Sequence, residues 1–189
     1  RRMAGFSFLY PSLRIMMTRL SLLISLLLPF CSFVFSQTPL DQMVQEMQRG
    51  INLGNTLEPP LEGGWNNPKA QEAYFDLYKN AGYTCIRIPV RWDEHTSDTA
   101  PYTIDESWMQ RVEEVAGWGL SRGLYVIINA HHEDWIKQNY ANAAYRARFD
   151  SIWSQIATRF SDRSEKLLFE ILNEPYGLTK AQNDELHER

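Results

Sequence analysis

The segment from Leu167 to Tyr176 reads Leu-Leu-Phe-Glu-Ile-Leu-Asn-Glu-Pro-Tyr. Its first six residues are almost all apolar, which predicts a strand, Leu167 to Leu172, that is covered on both faces. Pro175 fixes the turn out of this strand, because its ring locks φ and removes a backbone donor. Glu174 is therefore predicted to lie at the carboxyl end of a buried strand.

Upstream of this segment, short apolar runs alternate with stretches of helical period. The other strand candidates are Ile51 to Leu53, Cys85 to Val90 and Leu124 to Asn129. The helix candidates run from Pro68, capped by Asn67, to the residue before Gly82, from about Asp105 to Arg122, along the stripe from Tyr145 to Phe160, and from near Thr179 onward. In the first helix, one side is predicted to hold Ala70, Tyr74, Leu77, Tyr78 and Ala81. The alternation predicts four βα units and a parallel sheet.

The fold class that this pattern favours is α/β, in the form of a (β/α)8 TIM barrel. Such a barrel needs about 250 residues, so the part from Gln37 to Arg189 is expected to cover roughly the first four βα units. A doubly wound open sheet is the alternative, but it requires a Gly-rich phosphate turn after the first strand. The segment from Gly50 to Asn55 has only two glycines, at the wrong spacing.

Polar and aromatic residues collect after the carboxyl ends of the predicted strands, where a barrel carries its chemistry. The first strand is followed by Asn55, Glu58 and Trp65, the second contains Arg87 and leads to Arg91, Trp92 and His95, the third ends in Asn129 to Trp135, and the fourth in Asn173 to Tyr176. The loops at the opposite end, such as Gly82 to Thr84, are short. An active site is therefore predicted at the carboxyl end of the sheet.

Glu174 is the candidate for acid/base chemistry. A carboxyl held in partial desolvation has a raised pKa and can donate a proton to a leaving oxygen near neutral pH. Asn173 beside it can hydrogen-bond a sugar hydroxyl. The alternative is a helix-capping glutamate on a surface loop, but the preceding strand and the three other polar strand ends favour an active-site carboxyl.

Arg87 stands within an apolar strand, where an unpaired guanidinium is very costly, so it is expected to meet a carboxylate inside the barrel mouth. A structural salt bridge is the alternative reading of this residue.

His131 and His132 are adjacent, so on extended backbone only one of them enters the site directly, unless the strand has already ended. With Glu133 they do not form a recognised zinc pattern, and no metal is predicted.

Net charge and aromatic content limit the classes of binding partner that the chain is expected to have. The chain has 189 residues, 44% hydrophobic and 13% aromatic, with a net charge of −4. A negative net charge does not favour binding to nucleic acid or to an anionic membrane surface, so a neutral partner is expected. Six Trp, nine Tyr and nine Phe suit the apolar faces of sugar rings, although ordinary packing explains them equally well.

The N-terminal region has the layout of a secretory signal peptide. Arg14 and Arg19 precede the apolar run Leu20 to Phe35, and cleavage is expected after Ser36. The run is shorter than the ~20 residues of a membrane span and is broken by Pro29, so no membrane association is expected after cleavage. The predicted organisation is residues 1–15 as upstream read-through or a cloning artefact, 16–36 as signal peptide and 37–189 as the N-terminal part of a barrel. Cys85, the only cysteine left after cleavage, is predicted to be a small buried side chain.

The sequence from about Glu46 to Arg189 resembles glycoside hydrolase family 5, the cellulase family. The resemblance rests on Arg49 to Glu58, Ile86 to Val90, Asn129 to His132 and Leu167 to Tyr176, which are similar to that family's motifs and stand in its order. It implies a (β/α)8 barrel that cleaves β-1,4-linked polysaccharides with retention and without a metal or organic cofactor.

The resemblance also implies roles for individual residues. Glu174 would be the acid/base, Asn173 the partner of the 2-hydroxyl, and Arg87 the residue that orients the nucleophilic glutamate. His131, with His132, would line the same subsite. Further candidates for sugar contacts are Asn55, Glu58, Trp65, Trp135 and Tyr176.

Retaining hydrolysis needs two carboxylates, and the resemblance places the nucleophile beyond Arg189. The chain by itself is therefore expected to be inactive and to lack the C-terminal half of its own barrel. The intact parent is predicted to be a secreted endo-β-1,4-glucanase. A β-mannanase, a xyloglucanase and a lichenase are alternatives within the family, and a non-catalytic sugar-binding half-barrel and a metal-dependent barrel hydrolase are alternatives outside it.

Overall fold

A computed structural model of the protein describes residues 39–189. The predicted read-through and signal segments, residues 1–15 and 16–36, lie outside the described residues. Within the described range, no helix is long and apolar enough to cross a membrane.

The centre of the fold is a parallel sheet with the order β1-β2-β3-β4. Its strands are β1 (Gly50–Asn52), β2 (Cys85–Ile88), β3 (Tyr125–Asn129) and β4 (Leu167–Glu170). The four predicted strands are confirmed. Three of them end one or two residues earlier than predicted, because the apolar residues that follow, such as Val90 and Leu172, belong to buried loops.

Helices follow the strands in turn. Within residues 39–189 they are α1 (Pro39–Glu46), α2 (Glu72–Asn80), a 3-10 helix (Asp93–His95), α3 (Glu106–Ser121), α4 (Asp134–Gln138), α5 (Ala143–Arg159) and α6 (Lys180–Glu188). The predicted starts near Asp105 and Thr179 are confirmed, since both residues cap their helices through side-chain oxygens. Four consecutive βα units are half the number in a (β/α)8 barrel.

The first predicted helix starts four residues too early. Ala70 donates its N–H to Glu62 Oε1 (2.9 Å) and its carbonyl accepts from Arg111 Nη2 (2.8 Å), so this backbone bonds outside any helix. Gln71 is extended and caps α2. The predicted apolar side is confirmed in part: Ala70 is buried and Tyr74 and Tyr78 pack against the core. It was wrong for Leu77, which is 64% exposed, and it missed Phe75, the buried residue of α2.

The two faces of the sheet differ in chemistry. Ile86, Ile88, Val126 and Ile128 are fully buried and belong to the hydrophobic core shared with the helices. The alternate residues, which include Arg87, Asn129 and Glu170, contact one another on the opposite face. An apolar outer layer therefore supports a polar inner face.

The amino-terminal edge of the sheet is tied to α1 and the segment that follows it. Thr84 donates its N–H to Arg49 O (2.9 Å) and its hydroxyl to Met47 O (2.9 Å). Tyr125 donates its hydroxyl to Glu46 Oε2 (2.6 Å). These bonds close the edge that lies away from the predicted active site.

Helix α3 packs against β3 through Gly119. A Cβ built on this glycine would lie 2.6 Å from Val126 Cγ2 and 3.5 Å from Phe75 Cε1. Close contact between the helix and the sheet therefore requires the absence of a side chain at this position.

Gly119→Ala is expected to destabilise the chain by about 1–3 kcal/mol, since the added methyl overpacks the core. Gly117→Ala is the matched control in the same helix, where a Cβ meets nothing within 4 Å. It is expected to be neutral or stabilising by up to about 1 kcal/mol, because alanine favours a helix more than glycine does. Urea denaturation measures both, and equal effects of the two changes would contradict the packing argument.

Candidate active site

The inner face of the sheet is organised by an ion pair between β2 and β4. Arg87 donates from Nε to Glu170 Oε2 (2.6 Å) and from Nη2 to Glu170 Oε1 (2.7 Å), which is a bidentate pair. The guanidinium holds the pKa of Glu170 below its usual range, although partial burial acts in the opposite direction. The expectation that Arg87 meets a carboxylate is confirmed, and within the described residues its partner is Glu170.

Other donors of Arg87 reach the neighbouring elements. Nη1 donates to Asn52 Oδ1 (3.1 Å) on β1, and Nη2 donates to Asn173 Oδ1 (2.8 Å) after β4. Asn173 is also held by its backbone, since its N–H donates to Ala130 O (2.9 Å). With its carbonyl oxygen bound to Arg87, the amide of Asn173 has Nδ2 left as a donor.

Asn129 connects this ion pair to His131. The side chain is fully buried, accepts from the N–H of Val90 (3.1 Å) and donates to Glu170 Oε1 (3.3 Å). Its Nδ2 also lies 3.0 Å from His131 Nδ1. Because the amide nitrogen is a donor, His131 Nδ1 accepts and the ring carries its proton on Nε2. Burial and the neighbouring His132 and Arg87 lower the pKa of His131 to about 4, so the ring is neutral at neutral pH.

His132 lies beside His131, because β3 has already ended at Asn129. The two rings meet edge to face with centroids 4.7 Å apart. Trp65, from the loop after β1, packs edge-on against His132 at 5.6 Å and is itself 51% exposed. The loops after β1 and β3 therefore bring an open indole and both imidazoles together.

Glu58 and Asn55 form a loop anchor. Glu58 is 5% exposed, and its two oxygens accept from the N–H groups of Asn55 (2.6 Å) and Thr56 (3.1 Å). Asn55 is exposed and has a φ of 56°. Glu58, predicted to contact sugar, thus binds the backbone of its own loop. The Asn55 side chain lies at the surface.

Glu174 lies in the turn after β4, four residues beyond the last residue of the strand. It is exposed, and its φ of 44° is in the left-handed region, directly before Pro175. Such a conformation costs on the order of 1–3 kcal/mol in a non-glycine residue. Its charge contributes to the raised pKa of Arg87, after the larger effects of Glu170 and Glu58. The partial desolvation expected for Glu174 is not provided by residues 39–189.

The two remaining aromatic candidates have different surroundings. The Trp135 indole donates to Glu133 Oε2 (2.7 Å), and its ring packs near Tyr145 and Phe149 of α5, with centroids 5.8 and 6.2 Å away. Trp135 is thus partly buried and packs against the helix layer. Tyr176 is 53% exposed in the turn after Glu174.

Three polar residues of this region are not among the site residues predicted from the sequence. They are Glu170, Asn129 and Asn52, which lie within predicted strands. The signal that could have identified these residues is the alternation of side chains along a strand. Arg87 shows which positions of β2 face inward, and a parallel neighbour carries its inward-facing polar residues in matching register.

The parallel sheet and its outer helices form a partial (β/α) barrel. The carboxylate, guanidinium and imidazole groups that cluster at the carboxyl end of the sheet are typical of a hydrolase of this fold. The family model described as Cellulase (glycosyl hydrolase family 5) matches residues 41–188. The chain therefore belongs to the cellulase family, glycosyl hydrolase family 5, and is a glycosidase-family chain.

Characterised relatives agree with this assignment. Endoglucanase H from Acetivibrio thermocellus is 55% identical over 149 residues, which are 78% of this chain and 16% of that protein. Among solved structures, a tri-modular endo-β-1,4-glucanase of subfamily 4 from Bacillus licheniformis has a TM-score of 0.74 and 45% identity, covering 79% of this chain and 30% of that one. Endoglucanase Cel5A from Thermotoga maritima has a TM-score of 0.73 and 41% identity, covering 78% and 47%. The chain spans less than half the length of each of these three proteins.

Glu133 directly follows His131 and His132, and its carboxylate is fully buried. Oε1 accepts from the N–H of Trp92 (2.9 Å) and Oε2 from the Trp135 indole (2.7 Å), so it joins the loop after β2 to α4. Burial, and then the charge of Asp93, raise the pKa of Glu133 to about 7. The folded state therefore binds this proton more tightly than the unfolded state.

This pKa predicts how stability depends on pH. The contribution of Glu133 is present at low pH and declines as the pH rises from about 4.5 to about 7, by on the order of 3 kcal/mol. Glu133→Gln is expected to remove this decline, whereas Glu188→Gln, at an exposed glutamate of α6, is expected to keep it. Urea titrations between pH 4 and 8 measure the effect. An unchanged decline in Glu133→Gln would rule out this assignment.

Proposed function

We propose that the intact protein containing this chain is a retaining endo-β-1,4-glucanase. The observation that carries the proposal is the turn Asn173-Glu174, set at the carboxyl end of β4 and joined to Arg87 through the Asn173 side chain. The relatives support it, since those of known structure are described as endoglucanases, and a structure of the Bacillus licheniformis enzyme is a complex with cellotetraose.

In the proposed reaction, Glu174 donates a proton to the leaving glycosidic oxygen and later activates the water that releases the sugar. Asn173 donates from Nδ2 to the 2-hydroxyl, because its carbonyl oxygen is held by Arg87. The neutral ring of His131 offers the Nε2 proton to a substrate hydroxyl. His132, Trp65, Asn55 and Tyr176 are the proposed sugar contacts around them.

Arg87 is proposed to orient the nucleophile. The described residues use four of its five N–H groups, through two bonds to Glu170 and one each to Asn52 and Asn173. One N–H on Nη1 remains for a further carboxylate. Glu170 is a poor nucleophile itself, since both of its oxygens accept charge-assisted bonds from the guanidinium.

The second carboxylate is proposed to come from outside residues 37–189. Retention requires two carboxyl groups about 5–5.5 Å apart, one for protonation and one for attack on the anomeric carbon. Purified residues 37–189 are therefore proposed not to turn over any β-glycan. The apolar run from Leu20 to Phe35 supports the further proposal that the protein is exported through a signal peptide cleaved after Ser36.

The substrate is proposed to be a β-1,4-glucan, with mannan kept as a second candidate. Mannan is retained because one structure of the Thermotoga maritima relative is a complex with mannotriose. Xyloglucan and lichenan remain alternatives within the same chemistry.

The intact enzyme is expected to release reducing ends from carboxymethylcellulose faster than from mannan or xyloglucan. Glu174→Gln is expected to lower this rate by about 10²–10⁴-fold, because the amide cannot supply the proton. Glu188→Gln is the control and is expected to act like the wild type. Absence of hydrolysis of every β-glycan by the wild type would overturn the proposed function, and full activity of Glu174→Gln would overturn the assigned acid/base.

Export and the activity of the isolated chain are tested separately. Expression of the full reading frame in a secreting host is expected to yield a protein whose first residue is Gln37, measured by N-terminal sequencing. Residues 37–189 are expected to show no release of reducing ends under the same assay. Retention of residues 20–35 in the exported protein, or turnover by the shorter chain, would contradict the respective proposal.

A further inference from the structure

Lys137 is a buried ammonium on α4, outside the cluster described above. Its side chain is only 2% exposed, and Nζ lies 3.1 Å from Asp134 Oδ1 on the same helix. Nζ also lies 4.8 Å from the centroid of the Tyr176 ring, which is within cation–π range. Lys137 thus joins α4 to the turn that follows β4.

The Tyr176 hydroxyl strengthens the same connection. It interacts with the Asp134 carboxylate, and this interaction raises the pKa of Tyr176. The geometric contact between α4 and the tyrosine is therefore the one that Lys137 makes with the ring face.

This connection lies two residues from Glu174. The left-handed backbone of Glu174 before Pro175 persists only if the flanking residues are fixed. On the amino-terminal side, Asn173 is fixed by Arg87 and by Ala130. On the carboxyl-terminal side, the Tyr176 N–H donates to Glu174 O (2.6 Å), and Tyr176 is in turn held by α4.

Packing alone does not explain a lysine at this position. Removing an ammonium from water is costly, and its only ion-pair partner among the described residues, Asp134, has a side chain that is 48% exposed. A methionine would fill similar volume without that cost. It would lose the ion pair with the half-exposed Asp134 and the attraction to the Tyr176 ring.

We propose that Lys137 is a positioning residue for the acid/base: it acts through Tyr176 to fix the turn that carries Glu174. The inference rests on the proposed function for its kinetic consequence. Its structural content, that Lys137 restrains residues 173–177, stands independently of activity.

The test uses the intact enzyme and the variant Lys137→Met, with Lys180→Met as the matched control. Lys180 is 89% exposed in its side chain and lies on α6. Lys137→Met is expected to fold, because it exchanges a buried charge for an apolar side chain and leaves Asp134 in contact with solvent. Lys137→Arg retains the positive charge and is expected to recover most of the lost activity.

Two substrates distinguish a misplaced Glu174 from a general loss of enzyme activity. Cellotetraose has a poor leaving group and needs the proton from Glu174, whereas 2,4-dinitrophenyl β-cellobioside has a leaving group that departs without one. Lys137→Met is expected to lower kcat/KM for cellotetraose by about 10-fold or more, as a small misplacement of a catalytic group does, and to change that for the aryl glycoside by less than about twofold.

Hydrogen exchange supplies a readout that does not depend on turnover. The amide of Tyr176 is expected to exchange faster in Lys137→Met and at the wild-type rate in Lys180→Met. Equal losses on both substrates, or no loss on either, would overturn the positioning role, as would unchanged exchange at residues 173–177. If the wild type hydrolyses neither substrate, the proposed function fails, and the exchange rates still decide whether Lys137 restrains the turn.

Discussion

The bidentate pair between Arg87 and Glu170 is the interaction on which the polar face of the sheet depends. It joins β2 to β4 across β3, and through Asn52 and Asn129 it reaches the other two strands. A guanidinium inside a sheet is tolerated only if its donors are satisfied, so the neighbouring positions are constrained to be amides and carboxylates. The position of Asn173, and with it the start of the turn that carries Glu174, follows from the same constraint.

The supporting layer has a different physical basis. Ile86, Ile88, Val126 and Ile128 pack against the helices with no exposed surface, and Gly119 allows α3 to approach β3 closely. This layer fixes the spacing of the strands but contributes no chemistry. The polar inner face can therefore specialise for binding, because stability comes from the opposite side of the sheet.

The turn at Glu174 meets the two requirements of the proposed acid/base, which are access to substrate and a fixed position. Exposure provides access, while the left-handed backbone requires restraint from both flanks. Asn173 is held by the polar face, and the Tyr176 ring contacts Lys137 of α4, which is the proposed restraint on the other flank. Under the proposed role of Lys137, the short helix α4 supports the site from outside the sheet.

The sequence by itself determined the four strands, four of the helices apart from the start of α2, and the end of the sheet at which Arg87, His131, Asn173 and Glu174 lie. These features depend on local periodicity and on parallel connection, which are properties of neighbouring residues. It did not determine that Glu170 pairs with Arg87, that Glu58 anchors its own loop, or that Trp135 and Leu77 take the places they do. The pairing of Glu170 with Arg87 depends on a contact between residues distant in the chain. The bonds of Glu58 to Asn55 and Thr56 are local, but they depend on a loop conformation that the sequence pattern does not show. Only the tertiary structure decides them, because pairing free energy depends on distance and burial, and neither is encoded in residue spacing.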